Sequence, residues 1–100
     1  MDKEQYLKNL TPPTGPVDIV LDTDTFNEVD DQFAISYMLR SPQLNPVAIY
    51  AAPFYNARSV SPADGMEKSY HEIMNVLTLM EREDLKDRVF RGSTSYLPSE

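Results

Sequence analysis

The chain has no cysteine, which excludes a disulfide framework and any thiolate metal site and fits a reducing compartment. Glycine is scarce, three in all, and no Gly-rich loop ends in lysine, so a phosphate-binding P-loop is excluded. No apolar run approaches the roughly 20 residues that span a bilayer. Met1-Asp2-Lys3-Glu4-Gln5 also lacks the apolar core of a signal peptide. These absences lead us to expect a cytoplasmic protein without a membrane partner. No repeat or low-complexity tract is present.

The most telling shortage is of positive charge. Between Asn9 and Leu39 stand Asp18, Asp22, Asp24, Glu28, Asp30 and Asp31 with no Lys or Arg, so this segment carries six of the seven net negative charges of the chain. Such an acidic balance argues against a nucleic-acid partner, because phosphate contacts need clustered bases. Two unit charges about 4 Å apart interact by roughly 1 kcal/mol in water and roughly 4 kcal/mol at an effective dielectric near 20. Carboxylates converging here therefore require a base from elsewhere in the fold, protons held by raised pKa values, or a metal ion. Oxygen donors without Cys or His in the cluster point to Ca²⁺ or Mg²⁺ rather than Zn²⁺.

What is present reads as one small globular domain of 100 residues, 41% apolar and 25% charged, with a modest core. Residues 1 to 16 form an arm and linker, since Thr11-Pro12-Pro13-Thr14-Gly15-Pro16 stops any helix begun at Tyr6 and Leu10. The domain proper spans residues 17 to 100. The β-branched run Val17 to Leu21 reads as a buried strand, and Asp30, a candidate N-cap, opens a helix to Leu39. Phe33, Ala34, Tyr37 and Met38 are its expected core face.

A second strand is expected at Pro46 to Ala52 and a second helix from Gly65 to Glu83, with Met66, Tyr70, Ile73, Leu77 and Met80 as its core stripe. The methionines at 66, 74 and 80 read as gap fillers in that core. Arg88 to Arg91 gives a short third strand. This alternation implies an α/β fold, a Rossmann-like parallel sheet with flanking helices, and a site outside the carboxyl ends of the strands.

In an extended segment Asp22 and Asp24 project to the same side, and Asp30 and Asp31 return from the next helix. A calcium-binding EF-hand loop counted from Asp22 fails, with Phe26 at position 5, Asn27 instead of Gly at 6 and Phe33 instead of Glu at 12. An apolar strand ending in Asp-x-Asp resembles Mg²⁺ phosphohydrolases of the haloacid dehalogenase type. That likeness implies Asp22 as nucleophile and Asp24 as acid or base, but gives the Asp30-Asp31 pair no task. A non-catalytic α/β module that binds a metal or ribose is a third reading.

Leu21-Asp22-Thr23-Asp24, followed by Val29-Asp30-Asp31-Gln32-Phe33-Ala34-Ile35 and then Tyr50-Ala51-Ala52-Pro53-Phe54-Tyr55-Asn56, resembles the N-terminal portion of the inosine-uridine preferring nucleoside hydrolases over residues 17 to 97. The five residues Thr25 to Val29 match the longer-loop branch of that family. The resemblance implies a nucleoside N-ribohydrolase of purine and pyrimidine salvage, with Ca²⁺ held by Asp24 and Asp31. Asp24 is then also the general base on a water held by the ion, Asp30 and Asn56 bind ribose hydroxyls, and Asp22 supports the site from behind. It implies a nucleoside substrate and, in the full-length form, a homo-oligomer, dimer or tetramer. Members of the family are roughly three times as long, so the 100 residues are expected to lack further calcium ligands and a leaving-group acid, and to have little activity alone.

His71, one position off the apolar stripe, is expected to be exposed or locally bonded. Arg58 and Arg91 are candidate neutralising bases. Ser93, Thr94 and Ser95 are expected to bond to their own loop.

Overall fold

Alternating burial along Val17–Thr23 marks the first strand, β1. The computed structural model describes residues 2 to 12, 14 to 27 and 29 to 98. Upstream, helix α1 (Lys3–Asn9) is capped by Asp2, whose carboxylate accepts from the Gln5 amide at 2.8 Å, and it buries none of its residues. The arm therefore holds a helical turn or two without joining the core.

Downstream come α2 (Val29–Arg40), β2 (Leu44–Ala51), α3 (Pro62–Leu79), a 3-10 helix (Glu83–Arg88) and β3 (Val89–Arg91). The strands form one parallel sheet in the order β1-β2-β3, which makes this an α/β arrangement. β1 and β2 each extend two residues beyond one expected limit. β2 is central, yet contains Pro46. The register slips there, from Ile19 opposite Pro46 to Val20 opposite Ala48. This irregularity accommodates a residue that cannot donate to the ladder.

Helix α3 begins at a capping arrangement. Ser61 Oγ accepts from the Asp64 amide at 3.1 Å, Asp64 Oδ2 accepts from the Val60 amide at 3.0 Å, and Pro62 occupies the first turn. It ends earlier than expected. Glu81 adopts φ 59°, and the Arg82 amide reaches back to the Leu77 carbonyl at 2.8 Å, closing the helix. The residues beyond tighten into the 3-10 helix, which buries Leu85.

One cluster joins Ile35 and Met38 of α2, Ile49 and Ala51 of β2, Met66, Ile73, Val76 and Leu77 of α3, Leu85 and Val89, with Ile19, Leu21, Tyr70, Met74 and Met80 against its rim. The α3 stripe packs as expected, and its methionines sit in or against the core. Of the expected α2 face only Met38 is buried, and Phe33, Ala34 and Tyr37 are exposed. Phe33 and Tyr37 are 70% and 73% exposed, while Ile35 and Met38 point inward. Apolar residues run most of the way around α2, so periodicity did not single out the face. Phe33 and Tyr37 instead line an open groove of about 500 Å³ with Ser36, Arg40 and Met80. Asp30, expected as N-cap, is already the second residue of the helix, and Glu28 lies outside the described residues.

Both long helices share that one core, so they cover the same side of the sheet. Among the described residues no helix covers the other side. Val20, Tyr50 and Phe90 are 59%, 40% and 44% exposed, with the Tyr50 and Phe90 rings 5.4 Å apart. Parallel sheets are normally buried on both faces, and an apolar patch of this kind favours association. The isolated chain is expected to sediment above its 11.4 kDa monomer mass at high micromolar concentration, and V20K with F90K to restore the monomer. A strictly monomeric parent contradicts this. Among the described residues no helix is long and apolar enough to cross a membrane.

Candidate functional site at the carboxyl end of β1

β1 delivers Thr23 to the sheet edge facing inward, on the opposite side from exposed Asp22. The Thr23 carbonyl accepts from the Ala52 amide at 2.8 Å, tying the ends of β1 and β2 together. Immediately afterwards the chain turns, with the Asn27 amide donating to the Asp24 carbonyl at 2.8 Å. The turn takes Asp24 out of strand alternation. Its carboxylate therefore meets Asp31 from the first turn of α2 rather than lining up with Asp22.

Asp31 is anchored from the strand. Its Oδ2 accepts from Thr23 Oγ1 at 2.5 Å and from the Asp24 amide at 3.1 Å. Because the Thr23 hydroxyl has a single proton and gives it to Asp31, it accepts from the buried Thr25 hydroxyl, 2.8 Å away. Two buried threonines thus hold one carboxylate in place. Asp24 Oδ2 accepts from Asn27 Nδ2 at 3.0 Å.

The second loop closes over the first. Asn56 Nδ2 donates to Asn27 Oδ1 at 2.5 Å, and Arg58 Nη1 donates to the Asn27 carbonyl at 2.5 Å. Phe26 stacks on Phe54 with ring centroids 6.2 Å apart, and Lys68 Nζ lies 5.7 Å from the Phe26 ring centre. Lys68 also donates to the Arg58 carbonyl at 2.7 Å and pairs with Asp64 at 3.1 Å.

The Asp24 carboxyl is held above the usual carboxylate range. Burial is the main cause, and the hydrogen bond to and charge of Asp31 add to it, while Asn27's donation opposes. Two carboxylates in contact resist joint ionisation. A folded-state pKa above the unfolded one means that the folded chain binds the proton more tightly. This contribution then lowers stability as pH rises from the ordinary aspartate value through the raised one. Asp24→Asn offers Oδ1 to Asn27 and Nδ2 to Asp31. It is expected to stabilise the metal-free chain at neutral pH by about 1 kcal/mol and to flatten the pH dependence in that interval. Unchanged pH dependence in thermal melts contradicts the assignment.

Of the sequence-derived candidates, Asp24 and Asp31 come together and Asn56 is linked to Asp24 through Asn27. Asp22 lies exposed on the open sheet face and Asp30 exposed in the first turn of α2. Among the described residues no three Asp, Glu, His or Cys side chains gather to hold a metal, so the expected convergence of four aspartates reduces to a pair. The pair fits a hard divalent cation in kind, being all oxygen. In number it falls short of the six to eight oxygens Ca²⁺ takes.

Arg58 sits in the loop clasp. Arg91 is turned to Glu67 at 2.6 Å and lies 4.1 Å from the Tyr70 ring centre. His71 is exposed and 3.7 Å from Glu67, and Ser93 Oγ bonds within its own loop to Ser95. The sequence motifs give Thr23 and Asn27 no task. The usable signal was a threonine placed between two aspartates where strand alternation turns it inward. Comparison with protein-family models, curated proteins and solved structures finds no match for the chain.

Proposed function

We propose that this strand-end site binds a divalent cation, Ca²⁺ by its donor chemistry, together with the ribosyl group of a nucleoside. Its task is then hydrolysis of an N-glycosidic bond in a domain of the nucleoside hydrolase type with a Rossmann-like sheet. The observation that supports this most is the continuous hydrogen-bonded path from Asp31 and Asp24 through Asn27 to Asn56. It joins the two acidic positions to the amide expected to contact ribose, across two separate loops.

Asp24 and Asp31 would hold the ion, which when bound supplies positive charge that offsets the pair and lowers the pKa of a water. The remaining work falls to side chains. Asp24 takes a proton from the attacking water. Asn56 and Asp30 orient ribose hydroxyls. The carboxylates stabilise the positive charge that grows on the sugar as the C–N bond breaks. Asp22, facing the other side of β1, contributes only through its charge.

Equilibrium titration of D-ribose into the chain with Ca²⁺ present tests the reading. Saturable binding that is lost in N56A and D30A supports it. Mg²⁺ with beryllofluoride tests the phosphohydrolase alternative: a covalent mimic on Asp22 would overturn the glycosidase assignment. For a nucleoside hydrolase no adduct forms.

A further inference from the structure

Helix α1 (Lys3–Asn9) is amphipathic and has its apolar side in water. Lys3, Tyr6, Leu7 and Leu10 recur at i, i+3, i+4 and i+7, so they share one face. Tyr6, Leu7 and Leu10 are each more than half exposed. A helix of seven residues gains little from its own hydrogen bonds and depends on a surface to hold it. Among the described residues it is the one α-helix that adds nothing to the core cluster.

Two apolar surfaces of the folded domain stand exposed. The groove of Phe33, Tyr37 and Met80 carries a cation, Arg40, which repels Lys3. The uncovered sheet face of Val20, Tyr50 and Phe90 carries anions instead. Asp22 stands opposite Tyr50 in the register, and Asp18 lies two residues before Val20 on the same side of β1. The one base in the three strands, Arg91, is turned to Glu67 of α3 on the other side. Charge therefore favours the sheet face as the seat of α1. A parallel sheet also calls for cover on both faces, and α1 is the helix left over.

The sheet of its own chain does not receive it, since α1 buries none of its residues. The six residues between Leu10 and Val17 include three prolines, and a proline-rich spacer is extended and semi-rigid. It resists the reversal that would lay α1 back over β1. Short connections of this kind favour exchange of an element between protomers.

We propose that α1 docks on the uncovered sheet face of a second copy of this chain, laying Tyr6, Leu7 and Leu10 over Val20, Tyr50 and Phe90 with Lys3 toward Asp18 and Asp22. The exchange is reciprocal, so it closes a two-fold dimer. It assigns what covers the face whose association is expected above, and it is independent of the reading of the strand-end site.

Sedimentation equilibrium of the whole chain is the first test. Leu7→Lys with Leu10→Lys is expected to raise the dimer dissociation constant by about 10-fold or more. The urea midpoint of the dilute monomer stays where it is, because neither leucine is buried within the chain. Lys3→Glu weakens a dimer built on an acidic face. A dimer tightened by Lys3→Glu would place α1 in the Arg40 groove and overturn the proposal, as would a dissociation constant unchanged in the lysine variant.

The absence of cysteine permits a direct second test. Chains with Leu7→Cys and chains with Val20→Cys, differently tagged, are mixed and treated with a short bismaleimide. A cross-link between unlike chains is expected. Val20→Cys chains joined only to one another would mean that two sheets pack face to face, and a chain with both substitutions cross-linked at monomer mass would put α1 on its own sheet. Either result, or a parent that stays monomeric, overturns the exchange.

Discussion

Asp31→Ala is expected to weaken Ca²⁺ binding by about 100-fold or more, since loss of groups that merely orient a metal ligand already costs 10-fold to 100-fold. Asp31 supplies half of the carboxylate pair. It also accepts from Thr23 Oγ1 and the Asp24 amide, so truncation strands two donors and costs roughly 1–3 kcal/mol of stability besides. Asp31→Asn separates the two effects. Its carbonyl oxygen still serves both donors, whereas its charge is gone, so Ca²⁺ affinity falls sharply and the melting temperature does not fall. Calorimetric titration of the two variants beside thermal melts reads both quantities. Parental Ca²⁺ affinity in Asp31→Asn would contradict the assignment of Asp31 as a ligand.

The second large effect is at Gly65. Alanine is the better helix former by about 1 kcal/mol, so propensity alone predicts stabilisation by Gly65→Ala. Packing reverses the sign. A Cβ on Gly65 would stand 2.7 Å from the Phe54 amide nitrogen and 2.9 Å from its carbonyl carbon, and closer still to its carbonyl oxygen. These are backbone atoms that cannot swing aside. The first turn of α3 or the Phe54 strand exit has to move, at a cost of about 3 kcal/mol, the upper end of ordinary overpacking. Phe54 stacks on Phe26 and lies two residues before Asn56, so the displacement also disturbs the loop clasp. Urea melts should show the loss. Gly65→Ala as stable as the parent would mean that α3 does not sit this close to Phe54.

Much of this architecture is legible in the amino-acid order, for identifiable reasons. The stripe Met66, Ile73, Leu77 alternates with polar residues at helical spacing, so only one face of α3 can be buried, and it is. β1 is short, β-branched and bounded by Pro16, and it lies where those features place it. The inward face of α2 is not legible, because Phe33, Ala34, Ile35, Tyr37, Met38 and Leu39 leave almost no polar side to set against an apolar one. Its neighbours decide. Ile35 and Met38 fit against α3 and β2, and the larger rings remain outside.

The site divides in the same way. The acidic density of the segment, with no base in 31 residues, led to Asp24 and Asp31. Strand alternation led to Asp22 as well. It failed there because the turn closed by Asn27 onto Asp24 begins immediately after Thr23. The contribution of Asn27 depends on Asn56, 29 residues further on, and local sequence carries no record of a contact made only when two loops close.

A cation site at Asp24 and Asp31 and a solvated carboxylate pair beside a helix start differ in one measurable respect. The most direct measurement is Ca²⁺ titration of the unaltered chain at neutral pH, followed by calorimetry and by melting temperature. Millimolar or tighter binding is expected, together with stabilisation approaching about 2.7 kcal/mol at one hundred times the dissociation constant. Absence of binding heat and an unmoved melting temperature at millimolar Ca²⁺ would contradict it.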